Sequence, residues 1–274
     1  FLVDDNFIGN TTRVKELLRE LVQWRERTGS QMGFFTEASV NLADDPELLE
    51  LMARAGFKRV FVGIETSVAS SLQECHKVQN TGRDLAQSVR TIQQAGMEVM
   101  GGFIVGFDND PPDVFQQQYE FIQRTGIVTA MVGLLTALPQ TRLHQRLQRE
   151  GRLLADSNGD NTAAVLNFVP RLDRQFLIKG YRQLMHTLYE PRSYYRRILT
   201  FLAEHYPQGP KMKLSWTDFK AFLKSLWVMG VWHGGRRAFW RFLTTVLVFH
   251  PRQVTAAMTL AIYGYHFRRV AAGL

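Results

Sequence analysis

The sequence predicts an α/β protein: repeated strand–helix units building a parallel sheet, then a helical C-terminal domain. Three observations carry this. Short apolar runs rich in Val, Ile and Phe alternate with amphipathic stripes through the first half of the 274-residue chain. Strand starts lie roughly thirty to forty residues apart, a spacing suited to βαβ crossovers. Beyond Pro170 that rhythm stops and the charge changes sign. Residues 1–140 hold 12 Lys and Arg against 18 Asp and Glu, whereas residues 141–274 hold 21 against 7.

The expected strands are Phe1–Val3, Met32–Phe35, Arg59–Ile64, Val99–Val105 and Val128–Leu135. Their near-continuous apolar character fits a sheet covered by other elements. Since the first run begins at Phe1, the chain is expected to open inside a strand, with at least one more strand ahead of it. Between the runs, Val14, Leu17, Leu18, Leu21 and Val22 recur at helix spacing. A second helix follows Asp44-Asp45-Pro46, with Asp45 placed to cap it and Pro46 suited to its first position. Leu85, Val89 and Ile92 mark a third helix, ended by Gly96. Val114, Phe115, Tyr119 and Ile122 mark a fourth, ended by Gly126. Each strand is followed by polar residues: Asp4, Asp5 and Asn6; Thr36, Glu37 and Ser39; Glu65, Thr66 and Ser67; Asp108, Asn109 and Asp110; and Thr136. An open doubly wound sheet and a complete or partial (β/α) barrel both fit this pattern. Polar groups after every strand favour the barrel, which builds its active site there.

Composition narrows the class. A chain that is 45% hydrophobic and 21% charged is an ordinary globular one, and no apolar run of about 18 residues is present to span a membrane. The single cysteine, Cys75, excludes an internal disulfide framework and fits a reducing, cytoplasmic setting. In SLQECHKVQNTG, Cys75 reads as an ordinary half-buried thiol and His76 as a surface residue.

The segments FLVDDNFIGN, FFTEASVNLADDPELLELMARAGFKRVFVGIETS and GGFIVGFDND, in this order, resemble successive strand ends of radical S-adenosylmethionine (SAM) enzymes. The group resembled carries an N-terminal cobalamin-binding domain. TAMVGLLTALPQTRLHQRLQREGRL is similar to the sixth barrel strand and exit helix of that group. The remainder, ending TLAIYGYHFRRV, resembles the helical extension of the hopanoid C-2 methylase-like subgroup.

The resemblance implies a partial (β/α)6 TIM-like barrel over residues 1–155 that lacks its first strand, then a helical basic domain over residues 156–274. It also implies SAM, a 4Fe–4S cluster and cobalamin as cofactors. The cluster would be held by a three-cysteine loop after the first strand. With one cysteine, these 274 residues are not expected to assemble such a cluster. They read as an N-terminally truncated piece, inactive alone, whose cobalamin-binding domain lies outside them.

Within the resemblance, Asp4 and Asp5 fall at the strand end where the family binds the methionine amino group. Glu37 and Glu65 could accept from ribose hydroxyls or the amine; a helix cap or an ion pair would use the same side chains. Gly102, Ile104 and Gly106 form a Gly-x-Ile-x-Gly pattern that would let backbone approach the adenine, although Gly101-Gly102 could equally mark strand packing. No metal ligands and no catalytic residue are assigned.

In the basic half, Leu177–Tyr189, Trp216–Val231, Arg236–Val248 and Gln253–Val270 read as helices. Pro191, Gly209-Pro210, Gly234-Gly235 and Pro251 mark the breaks. From Pro207 to Leu274 there are ten Lys and Arg and one acid, Asp218, together with Trp216, Trp227, Trp232 and Trp240. The composition suits an anionic membrane interface first, structural packing second and nucleic acid least. Two functional readings follow. One is an enzyme methylating an unactivated carbon of a small or lipid-like molecule. The other is a non-catalytic barrel scaffold attached to a membrane or partner through residues 207–274.

Overall fold

The computed structural model describes residues 1–75, 77–155, 165–206 and 216–273. Its centre is a four-stranded parallel sheet of β1 (Phe34–Glu37), β2 (Phe57–Glu65), β3 (Glu98–Val105) and β4 (Ala130–Leu134), in the order β1-β2-β3-β4. The order follows the chain without reversal. Helix α1 (Thr11–Thr28) precedes the sheet and α2 (Pro46–Ala55) links β1 to β2. The short α3 (Ala69–Glu74) and α4 (Leu85–Gln94) link β2 to β3, α5 (Val114–Thr125) links β3 to β4, and α6 (Arg142–Arg149) follows β4.

Local chemistry explains the boundaries. Asp45 caps α2 by accepting from the Leu48 N–H at 3.0 Å, with Pro46 at the first helical position. Gly126 ends α5 in a left-handed conformation (φ 66°) that a side chain would strain. A Cβ there would also come within 2.8 Å of the Phe201 backbone nitrogen.

The expected strand at Phe1–Val3 is not formed. Leu2 donates one backbone hydrogen bond to the Phe35 carbonyl (2.9 Å), but its own carbonyl is taken by the Thr36 hydroxyl (3.0 Å). A side chain thus replaces the backbone donor that a ladder needs. A second correction concerns Pro191. It does end α7 (Arg174–Tyr189), but it also opens an unanticipated helix, α8 (Pro191–Glu204), which Glu190 caps through the Ser193 N–H. The last helices are α9 (Trp216–Trp227), a π-turn at Val228–Trp232, α10 (Arg236–Phe249) and α11 (Val254–Ala271). The boundary placed at residue 156, the Gly209-Pro210 break, Lys211, Lys213 and His76 lie outside the described residues.

The two faces of the sheet differ. Val60, Val62 and Ile64, with Val99, Phe103 and Val105, and with Ala130, Val132 and Leu134, are buried. This face continues into a core that also takes in Leu48, Met52, Val89, Ile92 and Ile122 from the crossover helices. The alternate residues Phe61, Gly63 and Glu65, Met100, Gly102 and Ile104, and Gly133 are only half-buried, and Met131 is exposed.

The end of α7, with α8 and α11, meets the sheet at the N-terminal ends of its strands. The Tyr189 hydroxyl donates to the Ala130 carbonyl at 2.8 Å. Arg197, fully buried, donates to the carbonyls of Leu188 (3.0 Å) and Val128 (3.2 Å), with its guanidinium 5.1 Å from the Tyr194 ring. From α11, Tyr263 lies 5.2 Å from the Arg59 guanidinium, while Arg59 also binds the buried Glu98 at 2.9 Å. Burial pushes the Glu98 carboxyl up in spite of that cation. The opposite ends of the strands, which carry the polar residues, are left to form a site.

Candidate active-site face

Strand register determines which candidate residues meet. Glu37 pairs with Phe61, Phe61 with Met100, Gly63 with Gly102, and Ile104 with Gly133. Glu37, Glu65, Gly102 and Ile104 therefore share the half-exposed face near the C-terminal strand ends. Gly63 and Gly102 are direct neighbours, and the space over them is taken by the Glu65 carboxylate with the Lys77 ammonium and by the Phe61 ring. A Cβ on Gly102 would lie 2.8 Å from the Phe61 ring, and one on Gly63 would lie 2.7 Å from the Glu65 carboxylate.

Glu65 is the most constrained of these residues. The β2–β3 register shifts between Gly63 and Glu65, and Glu65 has φ 65°. A left-handed non-glycine residue costs about 1–2 kcal/mol, so surrounding contacts must hold it. They do so through two buried amides. Asn80 donates to the carbonyls of Gly63 (3.1 Å) and Ile64 (3.0 Å). Gln118 donates to those of Glu65 (3.3 Å) and Ile104 (3.2 Å), tying the bulge to the next strand. The Glu65 carboxylate then projects over Gly63, 2.8 Å from the Lys77 ammonium.

The other expected residues sit elsewhere. Asp4 and Asp5 are exposed in the turn before α1, with Asp4 accepting from the Asn6 N–H at 2.8 Å. That turn is tied to the end of β1, because the Phe7 N–H donates to the Glu37 carbonyl and the Asn6 side chain accepts from the Ser39 N–H. The pair is thus near the face but not on it. Gly106 leaves the face altogether. Its φ of 107° turns the chain, and a Cβ there would point at Leu135 and Leu177. Its N–H donates to Asp110 at 2.7 Å.

Neither acid flanking Asn109 is available to a ligand. Asp110 is buried and accepts from the N–H groups of Gly106 and Phe107 and from the Ser71 hydroxyl. Burial raises its carboxyl pKa despite those bonds. Asp108, its side chain 3% exposed, is clamped by Arg152 at 2.6 and 2.8 Å and by Arg146 at 3.1 Å. Arg146 also reaches Glu74 at 3.0 Å. Burial alone would raise the Asp108 pKa, but the Arg152 hydrogen bonds and the charges of Arg152, Arg146 and Arg171 outweigh it and hold the carboxyl low. Cys75 is half-buried, burial pushes its thiol up, and its Sγ faces the Leu72 carbonyl. Among the described residues no group of three His, Cys, Asp or Glu could hold a metal ion.

Lys77, Asn80 and Gln118 were missed from sequence. Lys77 and Asn80 lie in a loop beyond α3, and Gln118 lies on the inner side of an amphipathic helix. Only the polar residue buried in the α5 stripe offered a signal.

Comparisons with known proteins bear on the fold and on sequence similarity. A family described as a domain of unknown function (DUF4070) matches residues 141–274. An uncharacterized methyltransferase of Synechocystis sp. is 39% identical over 97% of this chain and 51% of the relative. The hopanoid C-2 methylase of Rhodopseudomonas palustris is 36% identical over 90% of this chain and 48% of the relative. The solved structure of TsrM, a radical SAM methyltransferase from Kitasatospora setae with cobalamin and a 4Fe–4S cluster bound, superposes with a TM-score of 0.50. It is 17% identical and covers 96% of this chain and 51% of that one. The fold is thus similar to that of radical SAM methyltransferases. In sequence the chain is similar over nearly its whole length to curated methyltransferases, the hopanoid C-2 methylase among them. It spans about half the length of the curated relatives it matches.

Proposed function

We propose that this chain is the SAM-binding barrel portion and helical extension of a cobalamin-dependent radical SAM methyltransferase acting on an unactivated carbon of a lipid-like molecule. The observation that carries the reading is the 36% identity to the hopanoid C-2 methylase across 90% of the chain, the open sheet face included. On this reading the four strands are consecutive members of a partial barrel. Their sequential order and one-sided helical cover support that, since an open doubly wound sheet is covered on both faces.

The residues of the face suit SAM. The half-buried Phe61 ring over Gly102 offers a flat apolar surface, and the Glu65 and Glu37 carboxylates can accept from an ammonium or from ribose hydroxyls. The Lys77 ammonium, 2.8 Å from the Glu65 carboxylate, orients it over the face. Asp4 and Asp5 remain candidates for the amino group, reached through the turn that is tied to β1. Gly106 acts by turning the chain. The cluster does not fit the residues present, because one half-buried thiol cannot replace converging cysteines. Its ligands, and a cobalamin-binding domain, would be supplied outside these 274 residues. When bound, the cofactors would supply methyl transfer and reductive SAM cleavage, while this chain positions SAM and excludes water.

The test is label transfer. The encoded protein, reconstituted anaerobically with iron, sulfide and cobalamin, is incubated with methyl-labelled SAM, a reductant and a polycyclic lipid extract. Label is expected in a lipid product. SAM turnover with no methylated product would refute the methyltransferase reading. No turnover from a cluster-loaded protein would favour the scaffold reading.

A further inference from the structure

The basic half carries a surface that the proposed chemistry does not use. Helix α9 turns an apolar stripe outward. Trp216, Lys220, Leu223 and Trp227 follow one another at i, i+4, i+7 and i+11, and Trp216, Leu223 and Trp227 are 68%, 48% and 61% exposed. Its other side, with Ser225 buried and Phe222 and Leu226 half-buried, faces the protein. The π-turn extends the stripe with Val231 and Trp232, the latter 78% exposed. Monomeric soluble surfaces rarely expose several large apolar side chains side by side.

Basic groups border this stripe. Lys220 lies 6.0 Å from the Trp216 ring, and Lys224 is exposed one turn further on. Beside Trp232 is an open pocket of about 420 Å³ lined by Arg192, His233, Arg236 and Arg237, with Glu190 on its wall. That glutamate is engaged in capping α8. The pocket lies at the N-terminus of α10, where Gly235 at the N-cap offers no side-chain acceptor to the first backbone N–H groups. Among the described residues every ion pair falls between Lys15 and Arg171, and none involves Arg192, Arg236 or Arg237.

We propose that this surface docks on an anionic phospholipid bilayer, the outward stripe of α9 with Val231 and Trp232 entering the interface and the Arg192–Arg236–Arg237 pocket receiving a headgroup phosphate. Charge complementarity selects the occupant: residues 141–274 carry 21 Lys and Arg against 7 Asp and Glu. An outward aromatic stripe edged by lysines is the pattern of an interfacial helix. No described helix is long and apolar enough to cross a membrane, so contact would be from one side. The inference extends the proposed function by bringing the protein to where a lipid-like substrate resides. It is tested without turnover, so its failure leaves the methyl-transfer reading standing.

The experiment is co-sedimentation of the full chain with vesicles of phosphatidylcholine alone, or mixed with phosphatidylglycerol. Binding is expected to the anionic vesicles at about 0.1 M salt and to fall steeply near 1 M, where the Debye length shrinks to about 3 Å. Arg236→Gln and Arg237→Gln should each weaken it about fivefold, as expected for one basic residue near such a surface. Trp227→Ala with Trp232→Ala should weaken it further, with the thermal melt unchanged because both side chains are exposed. Three results would overturn the proposal. One is no binding to anionic vesicles at low salt. Another is binding indifferent to both tryptophans, which would be adsorption by charge alone. The third is a vesicle-free dimer that the tryptophan variants dissolve, which would make a second copy the occupant. Competition by millimolar inorganic phosphate alone would assign the pocket to a free anion and remove the headgroup from the account.

Discussion

Asp108→Ala is expected to cost about 1.5–3 kcal/mol of stability, the usual consequence of removing charge-assisted hydrogen bonds from a buried carboxylate. Asp108 accepts from Arg152 at 2.6 and 2.8 Å and from Arg146 at 3.1 Å, behind a side chain that is 3% exposed. The clamp ties the loop after β3 to α6 and to the segment at Arg152, which crosses back to Val169. Glu74 joins it by accepting from Arg146 and from the Asp108 and Asn109 N–H groups. Removing the carboxylate leaves Arg152 with only Glu150 and the Val169 carbonyl as acceptors and loosens four segments at once.

The effect depends on pH with a definite sign. The folded Asp108 pKa lies below its unfolded value of about 3.9. Its contribution is therefore complete above that value and disappears as the pH falls below about 4, through the folded pKa. Urea unfolding at pH 7 should show the full difference between parent and variant, and the gap should narrow on acidification below pH 4. A difference under about 1 kcal/mol at pH 7 would place the clamp among ordinary surface ion pairs.

Glu65→Gly is expected to separate stability from function. The φ of 65° at Glu65 is one that glycine adopts freely. Relief of about 1–2 kcal/mol of backbone strain offsets the lost Lys77 pair, worth about 0–1 kcal/mol, and the added freedom of the unfolded chain. The net change in stability should fall within about 1 kcal/mol of zero. SAM affinity of the reconstituted protein should nevertheless drop about 10- to 100-fold, the loss of one charge-assisted hydrogen bond of about 1.5–3 kcal/mol. A strained side chain that can be removed at no cost to the fold, but at a cost to binding, is held there for the ligand. Equal affinity in parent and variant would remove Glu65 from the site. A large loss of stability would mean that the bulge serves the fold instead.

Much of this was legible in the chain, for identifiable reasons. Strands β2, β3 and β4 centre on short runs rich in branched and apolar residues, which read as buried strands. Asp45-Pro46 and Gly126 act through neighbours three or four residues away, so their effect is visible locally. The strand expected at Phe1–Val3 failed because its pairing depends on the Thr36 hydroxyl, some thirty residues on. Helix α8 was hidden because Pro191 stops one helix and starts the next, and both roles follow from the same fixed φ. In the site, the polar strand ends and the Gly102–Ile104 register could be read directly. The left-handed Glu65 could not, since no glycine announced it. Nor could the capture of Asp108 by Arg146 and Arg152, which are adjacent in space but about forty residues away in the chain.

The central claim is that SAM lies on the open face at the C-terminal ends of β1, β2 and β3. The most direct measurement is hydrogen–deuterium exchange of the reconstituted protein with and without saturating SAM. The account predicts slowed exchange confined to the segments around Glu37–Ser39, Gly63–Ser67 and Gly102–Val105, with α9, α10 and α11 unchanged. Protection at the pocket between α8 and α10, or on the helix-covered side around α4, with none at these strand ends, would contradict it.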